Sequence, residues 1–102
     1  MPSTEYSSNV AERLHVDEPD MYDVIMLNDD FTTQDFVVDV IMRVFFKKEE
    51  EATQLMMKIH HKGSAIVGTY TYDIAVSKTN KALLMAREEG FPLRINVKKR
   101  RY

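Results

Sequence analysis

The sequence predicts a small α+β domain in which three helices pack on a three-stranded antiparallel sheet, in the order β-α-α-β-α-β. Three short apolar segments have the length and composition of strands, and three longer segments repeat apolar residues at helical spacing. The chain has 102 residues, which is enough for one domain. A small antiparallel sheet with helices on one face is the simplest arrangement that buries all of these apolar faces.

The domain is expected to occupy residues 21–98. Residues 1–20 are polar and acidic with no sustained periodicity, so they are expected to form a flexible N-terminal extension. Residues 99–102 are expected to be a basic C-terminal tail, solvated and frayed.

The first strand and the first helix are predicted from residue 22 onward. Residues 22–27 are rich in β-branched and aromatic side chains and predict a buried strand. Thr32 is the predicted N-cap of the helix, with Asp35 three positions later as the acid of a capping box. The apolar face of this helix comprises Phe36, Val37, Val40, Ile41, Val44 and Phe45.

The remaining elements follow the same periodicities. A second helix begins at the acidic residues 49–51 and ends at Gly63. Residues 65–70 predict a second strand, and a third helix is expected from about Tyr72 to Glu89, ended by Gly90. The last strand is predicted by the alternation of Leu93, Ile95 and Val97 with polar residues.

Composition excludes several classes of protein. The chain has no cysteine, so it forms no disulfide, thiolate metal site or cysteine nucleophile. No apolar run approaches the ~20 residues of a spanning helix, and the N-terminus lacks the basic and apolar regions of a secretory signal. A cytoplasmic protein without a membrane partner is expected.

The charge distribution leaves one alternative open. The net charge is −2, but acids are concentrated in the first half of the chain and bases in the second. A basic half can mark a surface for nucleic acid or an acidic partner. The favoured interpretation is an acidic leader and a basic tail on an ordinary fold, with no nucleic-acid partner, because no aromatic stacking motif accompanies the basic residues.

A candidate binding site lies directly after the first predicted strand. Asn28, Asp29 and Asp30 place oxygen acceptors at the edge of the core, and His60 falls on the apolar side of the second helix, one turn after Met56. An ammonium group has three donors and no acceptor, and a neutral imidazole would add one more acceptor to the cluster. Together these residues describe a site for a cation with an apolar attachment.

Other interpretations of the same residues remain. The acids also suit a turn before a helix N-terminus, and His60 suits a helix end. Asp29, Asp30, His60 and His61 are possible metal ligands, but neighbouring histidines on a helix point about 100° apart and rarely reach one ion. A carboxylate and a histidine could act as acid and base, yet the sequence offers no nucleophile or oxyanion hole. A binding module with neither metal nor cofactor, and not an enzyme, is therefore favoured.

From residue 21 to 98 the sequence resembles the ClpS family, the N-end-rule adaptors of bacterial AAA+ Clp proteases. The matching segments are Met21-Tyr22, Asn28-Asp29-Asp30-Phe31-Thr32, Phe36-Val37, Asp39-Val40, Ala52-Thr53-Gln54-Leu55-Met56, His60, Gly63, Ala65-Ile66-Val67-Gly68 and Pro92-Leu93. The combination of the Asn-Asp-Asp turn with the Ala-Thr-Gln-Leu-Met helix and its histidine is specific to the family.

The resemblance implies a substrate and a site. The ammonium would be the α-amino group of a substrate protein whose first residue is Leu, Phe, Tyr or Trp. Asn28, Asp30 and His60 would bind this group, and Asp29 would support the turn. The implied side-chain pocket consists of Thr32, Gln34, Val37, Val40, Met56, Ile59 and Leu93.

The resemblance also implies a partner. The protein would act as a monomer and deliver substrates to the N-domain of a Clp ATPase of the ClpA or ClpC type. Asp73 and Lys78 match the surface that docks on this N-domain, and residues 1–20 match the extension that engages the ATPase. The alternative function is a small ribosome- or nucleic-acid-associated domain that acts through its basic C-terminal half.

Two positions depart from the family pattern. Gln34 stands where the family often has methionine at the pocket mouth, and Thr33 stands where proline is common. A polar residue at the mouth is expected to change the ranking among first residues, because it removes part of an apolar wall.

Overall fold

The computed structural model describes residues 19–101, so most of the predicted N-terminal extension and Tyr102 lie outside the described residues. The predicted fold class is confirmed. In chain order the elements are β1 (Met21–Leu27), α1 (Gln34–Phe45), α2 (Glu49–Lys62), β2 (Ser64–Thr71), α3 (Tyr72–Glu88) and β3 (Arg94–Lys99).

The sheet has β1 at its centre, with β2 and β3 antiparallel on either side. Val24 and Met26 on β1 are buried, as are Ala65 and Val67 on β2, whereas Ile66 between them is exposed. Successive side chains on a strand point to opposite faces. One face of the sheet therefore packs on the helices and the other faces solvent.

A bulge interrupts the pairing of β1 with β2. Val24 pairs with Gly68, but the next residue, Ile25, pairs with Ile66, so β2 contributes one extra residue at this point. A side chain at position 68 would collide with the ring of Tyr70. Glycine at the bulge therefore lets the Tyr70 ring pack against the sheet.

The helices form the second layer. Helix α1 packs on both other helices, and α3 contacts all three strands. The buried side of α3 carries Ala75, Ala82 and Ala86, whose small side chains allow the helix to approach the sheet closely. None of the helices in the described part of the chain is both long and apolar enough to cross a bilayer.

Helix α1 begins one residue later than predicted. Its N-cap is Thr33, whose hydroxyl oxygen accepts a hydrogen bond from the Phe36 N–H at 3.2 Å. The predicted cap, Thr32, instead donates its hydroxyl to Asp29. The capping-box role of Asp35 is therefore wrong too, although its position in the first turn still favours the helix dipole.

Helices α1 and α2 both end at a residue in the left-handed conformation, but the two residues differ in type. Helix α2 ends at Gly63 with φ of 94°, whereas α1 ends at Phe46 with φ of 56° and ψ of 35°. Glycine adopts this conformation freely, but for other L-residues it costs about 1–2 kcal/mol. Phe46 thus holds a conformation that its own residue type disfavours.

The sheet extends beyond the predicted end of the domain. Strand β3 runs through Lys99, and the Arg100 N–H donates to the Met21 carbonyl at 2.8 Å. The Arg100 guanidinium also donates to Asp23 at 3.0 Å and to Thr69 at 3.1 Å. The predicted boundary after residue 98 therefore falls inside the last strand, and Arg100 is held by the sheet.

Candidate functional site

A turn between β1 and α1 is organised by the carboxylate of Asp29. Its oxygens accept hydrogen bonds from the Phe31 N–H at 2.8 Å, the Thr32 N–H at 2.7 Å and the Thr32 hydroxyl at 2.6 Å. Burial raises the pKa of Asp29, but these hydrogen bonds and the positive charge of Arg94 outweigh burial, so the pKa lies below its usual value. The carboxylate is therefore a structural anchor of the turn.

The turn is also tied to the end of α2. The Asn28 N–H donates to the Gly63 carbonyl at 2.9 Å, which brings the turn beside the last turn of this helix. His60 lies in that last turn and is exposed, whereas the sequence placed it on the apolar side of the helix. Its ring stands edge-on to that of His61, with 5.1 Å between centroids.

Between the turn, α1 and α2 lies an open cavity of about 360 Å³. Its apolar floor is formed by Val37, Met56 and Ile59, which are all buried. Its rim carries the exposed side chains of Asn28 and Asp30 together with His60. The full lining consists of Asn28, Asp29, Asp30, Phe31, Thr32, Thr33, Gln34, Val37, Met56, Ile59 and His60.

The structure brings together the three residues predicted to bind the amino group, Asp29 of the supporting turn and five of the seven residues predicted for the pocket. Val40 and Leu93 do not line this cavity; they are buried in the core at 0% and 6% exposure. Phe31 and Thr33 line it without having been predicted to do so. Because they lie in the same tight turn as Asp29 and Asp30, the sequence could have predicted that they line the cavity.

The side chains of the rim differ from that of Asp29 in their hydrogen bonding. Within residues 19–101, the side chains of Asn28, Asp30 and His60 make no hydrogen bond to another protein group, so their acceptors face solvent. Such a rim can accept several hydrogen bonds from a single cation at the mouth of an apolar cavity. Over the same residues, no group of three His, Asp or Glu side chains has an arrangement that could hold a metal ion.

The two predicted docking residues lie away from the cavity. Asp73 is exposed in the first turn of α3. The Lys78 ammonium donates to the Val44 carbonyl at 2.7 Å and lies 4.1 Å from the centre of the Phe46 ring. Burial lowers the pKa of Lys78, and the charge of Lys81 lowers it further.

Comparison with known proteins identifies the family. The model of the ATP-dependent Clp protease adaptor protein ClpS matches residues 17–96. The ClpS adapter protein of Campylobacter jejuni is 45% identical over 97 residues, which cover 95% of this chain and 97% of that protein. The ClpS adapter protein of Treponema denticola is 51% identical over 82 residues, which cover 80% and 81% of the two chains.

A solved structure supports the same assignment. The structure of Agrobacterium tumefaciens ClpS2 bound to L-phenylalaninamide is 38% identical and superposes with a TM-score of 0.78, covering 80% of this chain and 99% of that one. The curated relatives are adaptor proteins of the Clp protease. The family predicted from the sequence is therefore confirmed, and the chain belongs to the ClpS family of Clp protease adaptors.

Proposed function

We propose that this adaptor binds the free α-amino group and the hydrophobic first side chain of a substrate protein, and delivers that protein to a Clp ATPase without catalysing a reaction itself. The observation that carries the proposal is the cavity between the turn, α1 and α2. Its polar acceptors lie at the opening and its apolar residues lie at the base. A protein N-terminus with a hydrophobic first residue has the complementary arrangement.

The rim would bind the ammonium group. The Asp30 carboxylate supplies a charge, and the Asn28 side-chain carbonyl and a His60 ring nitrogen supply two further acceptors. Charge-assisted hydrogen bonds contribute roughly 1.5–3 kcal/mol each. An internal peptide group has a single N–H and no charge, so the rim would distinguish a chain terminus from the rest of a protein.

The floor would bind the first side chain. Burying a leucine-sized or phenylalanine-sized side chain contributes about 1.5–3 kcal/mol. The cavity of about 360 Å³ lies at the small end of the range known for ligand pockets, roughly 300–1,000 Å³, and suits one side chain. The Agrobacterium relative is bound to L-phenylalaninamide, a molecule with a free amino group and one aromatic side chain.

Delivery would use the opposite region of the molecule. Asp73 and Lys78 lie outside the cavity, so a Clp ATPase N-domain of the ClpA or ClpC type could dock there while the cavity holds a substrate. We propose that the adaptor does this as a monomer in the cytoplasm.

The alternative, nucleic-acid binding through the basic C-terminal half, has less support. Lys99 pairs with Asp20 at 3.2 Å, and Arg100 pairs with Asp23 at 3.0 Å. These carboxylates partly neutralise the basic end of the sheet and would be repelled by phosphates.

A peptide series tests the proposal. Peptides that differ only in their first residue are titrated into the adaptor by calorimetry. Peptides beginning with Leu, Phe, Tyr or Trp should bind at least about 10-fold more tightly than one beginning with Ser, because the floor buries their side chains. Equal affinities across the series would show that the cavity does not select the first residue.

A further inference from the structure

Phe46 combines two features that normally lower stability. Its side chain is 76% exposed, so burial contributes little, and its backbone has the left-handed conformation that glycine prefers. The neighbouring helix α2 ends in the same left-handed region with Gly63, a residue that adopts it without strain. Strained residues of this kind concentrate at functional positions.

The ring of Phe46 has a specific contact. The Lys78 ammonium lies 4.1 Å from the centre of this ring and 5.3 Å from the centre of the Tyr70 ring, and it donates to the Val44 carbonyl. A lysine side chain ordinarily samples many rotamers, and fixing it costs entropy on binding. Here the two rings and the carbonyl already hold the ammonium in one place.

The surface around Lys78 has a defined character. Ile74, Lys78, Lys81 and Leu84 recur at helical spacing and share one side of α3. Ile74 is 48% exposed and Leu84 is 51% exposed. This side therefore combines two positive charges with apolar area, and it complements a protein surface that combines carboxylates with apolar side chains.

We propose that Phe46 is a positioning residue for docking on the Clp ATPase. Its ring holds the Lys78 ammonium ready to meet a carboxylate of the ATPase, and its exposed edge adds apolar contact beside that ion pair. The proposal rests on the proposed function, in which Lys78 docks. Val37, the last residue of α1 that lines the cavity, lies nine positions before Phe46, which is about 13 Å along the helix axis, so docking leaves the cavity accessible.

Three variants test the proposal: Phe46→Gly, Phe46→Tyr and Lys78→Ala. Each is titrated by calorimetry with the intact Clp ATPase encoded in the same genome, and with a peptide that begins with leucine. Phe46→Gly should bind the ATPase about 3- to 10-fold more weakly, because it loses the cation–π contact and the order of the ammonium. Its peptide affinity should be unchanged and its thermal midpoint equal or higher, because glycine relieves the backbone.

Phe46→Tyr keeps the ring and should bind the ATPase as the wild type does. Since Phe46 acts through Lys78, a fourth variant that combines Phe46→Gly with Lys78→Ala should lose less binding free energy than the sum of the two single losses. Weakened ATPase binding in Lys78→Ala with wild-type binding in Phe46→Gly would overturn the role of Phe46 alone. Wild-type binding in both variants would overturn the docking surface as well, while leaving the substrate site to its own test.

Discussion

The two ends of helix α1 hold their polar groups in opposite states. At the N-terminal end, Asn28, Asp30 and His60 present acceptors to solvent around an apolar cavity. At the C-terminal end, the Lys78 ammonium is already engaged by a carbonyl and two aromatic rings. The solvent-facing acceptors of the rim can bind a small cation that enters the cavity. The ammonium of Lys78 is already fixed in position, so it is suited to contact the surface of a second protein. On the proposed function, the first end is the substrate site and the second is the docking site.

Both ends depend on an internal group that fixes the geometry. At the cavity this group is the Asp29 carboxylate, which holds the turn through three hydrogen bonds. At the other end it is the Val44 carbonyl, which holds the ammonium. Removing the Asp29 carboxylate should disturb the cavity end of the helix and leave the other end intact. Removing the Lys78 ammonium, which the Val44 carbonyl holds, should do the reverse.

The largest effect is expected from Asp29→Ala. The turn would lose all three hydrogen bonds, each contributing about 0.5–1.5 kcal/mol, so the free energy of unfolding should fall by about 1.5–4.5 kcal/mol. Peptide binding should weaken by about 100-fold or more, because the rim acceptors lose their positions. Urea denaturation and calorimetry measure the two effects.

The matched control is Asp35→Ala. It removes a nearby carboxylate that lies in the first turn of α1 and does not line the cavity. It should cost no more than about 1 kcal/mol, the usual size of a helix-dipole contribution. Unchanged stability in Asp29→Ala would show that the carboxylate does not organise the turn.

Acid should act through the same carboxylate. The pKa of Asp29 is lowered in the folded protein, so its contribution is complete above the unfolded value near 3.8 and is lost as the pH falls through the folded value. Between about pH 5 and pH 2, the wild type should therefore lose stability more steeply than Asp29→Asn. Parallel pH profiles of the free energy of unfolding would contradict this assignment.

A smaller effect is expected from His60. The imidazole supplies one of the acceptors at the rim, so His60→Ala should weaken peptide binding roughly 5- to 10-fold, measured by calorimetry. The adjacent His61, which is not part of the cavity lining, supplies the control. His61→Ala should bind the peptide as the wild type does, and wild-type affinity in His60→Ala would remove His60 from the site.

The smallest effect is expected at the cavity mouth. Gln34 lines the cavity and is exposed. Gln34→Met would add apolar wall and should raise affinity for peptides beginning with Leu or Phe by about 2- to 5-fold. Gln54→Met makes the same change at an exposed position of α2 outside the cavity and should change nothing. Equal affinities for Gln34→Met and the wild type would show that position 34 does not contact the first side chain.

Most of the fold could be predicted because helical and strand periodicities report which side of an element is buried. The start of α1 could not be placed exactly, because Thr32 and Thr33 are both good caps. Only the structure shows that Asp29 takes the hydroxyl of Thr32 and leaves Thr33 to cap the helix. The bonds of Arg100 to Asp23 and Thr69 also escaped prediction, since they join residues far apart in sequence.

The cavity was predicted less completely than the fold. Val37 and Val40 lie on the same apolar side of α1, and periodicity predicts burial for both. Val37 lines the cavity, whereas Val40 is in the core. Periodicity predicts that a side chain is buried. It does not predict whether that side chain lines a cavity or packs against other side chains in the core. The left-handed conformation of Phe46 likewise has no signal in its residue type.

Binding of a free α-amino group by the rim is tested by one cycle of peptide acetylation and carboxylate removal. A peptide beginning with leucine and its N-acetylated form are titrated by calorimetry into the wild type, Asp30→Asn and the charge control Glu89→Gln. In the wild type and the control, acetylation should weaken binding by about 100-fold or more, since the charge and two donors are lost. In Asp30→Asn the acetylation ratio should be much smaller, because its partner carboxylate is gone. Equal affinity of the wild type for the free and acetylated peptides would show that the rim does not bind the α-amino group.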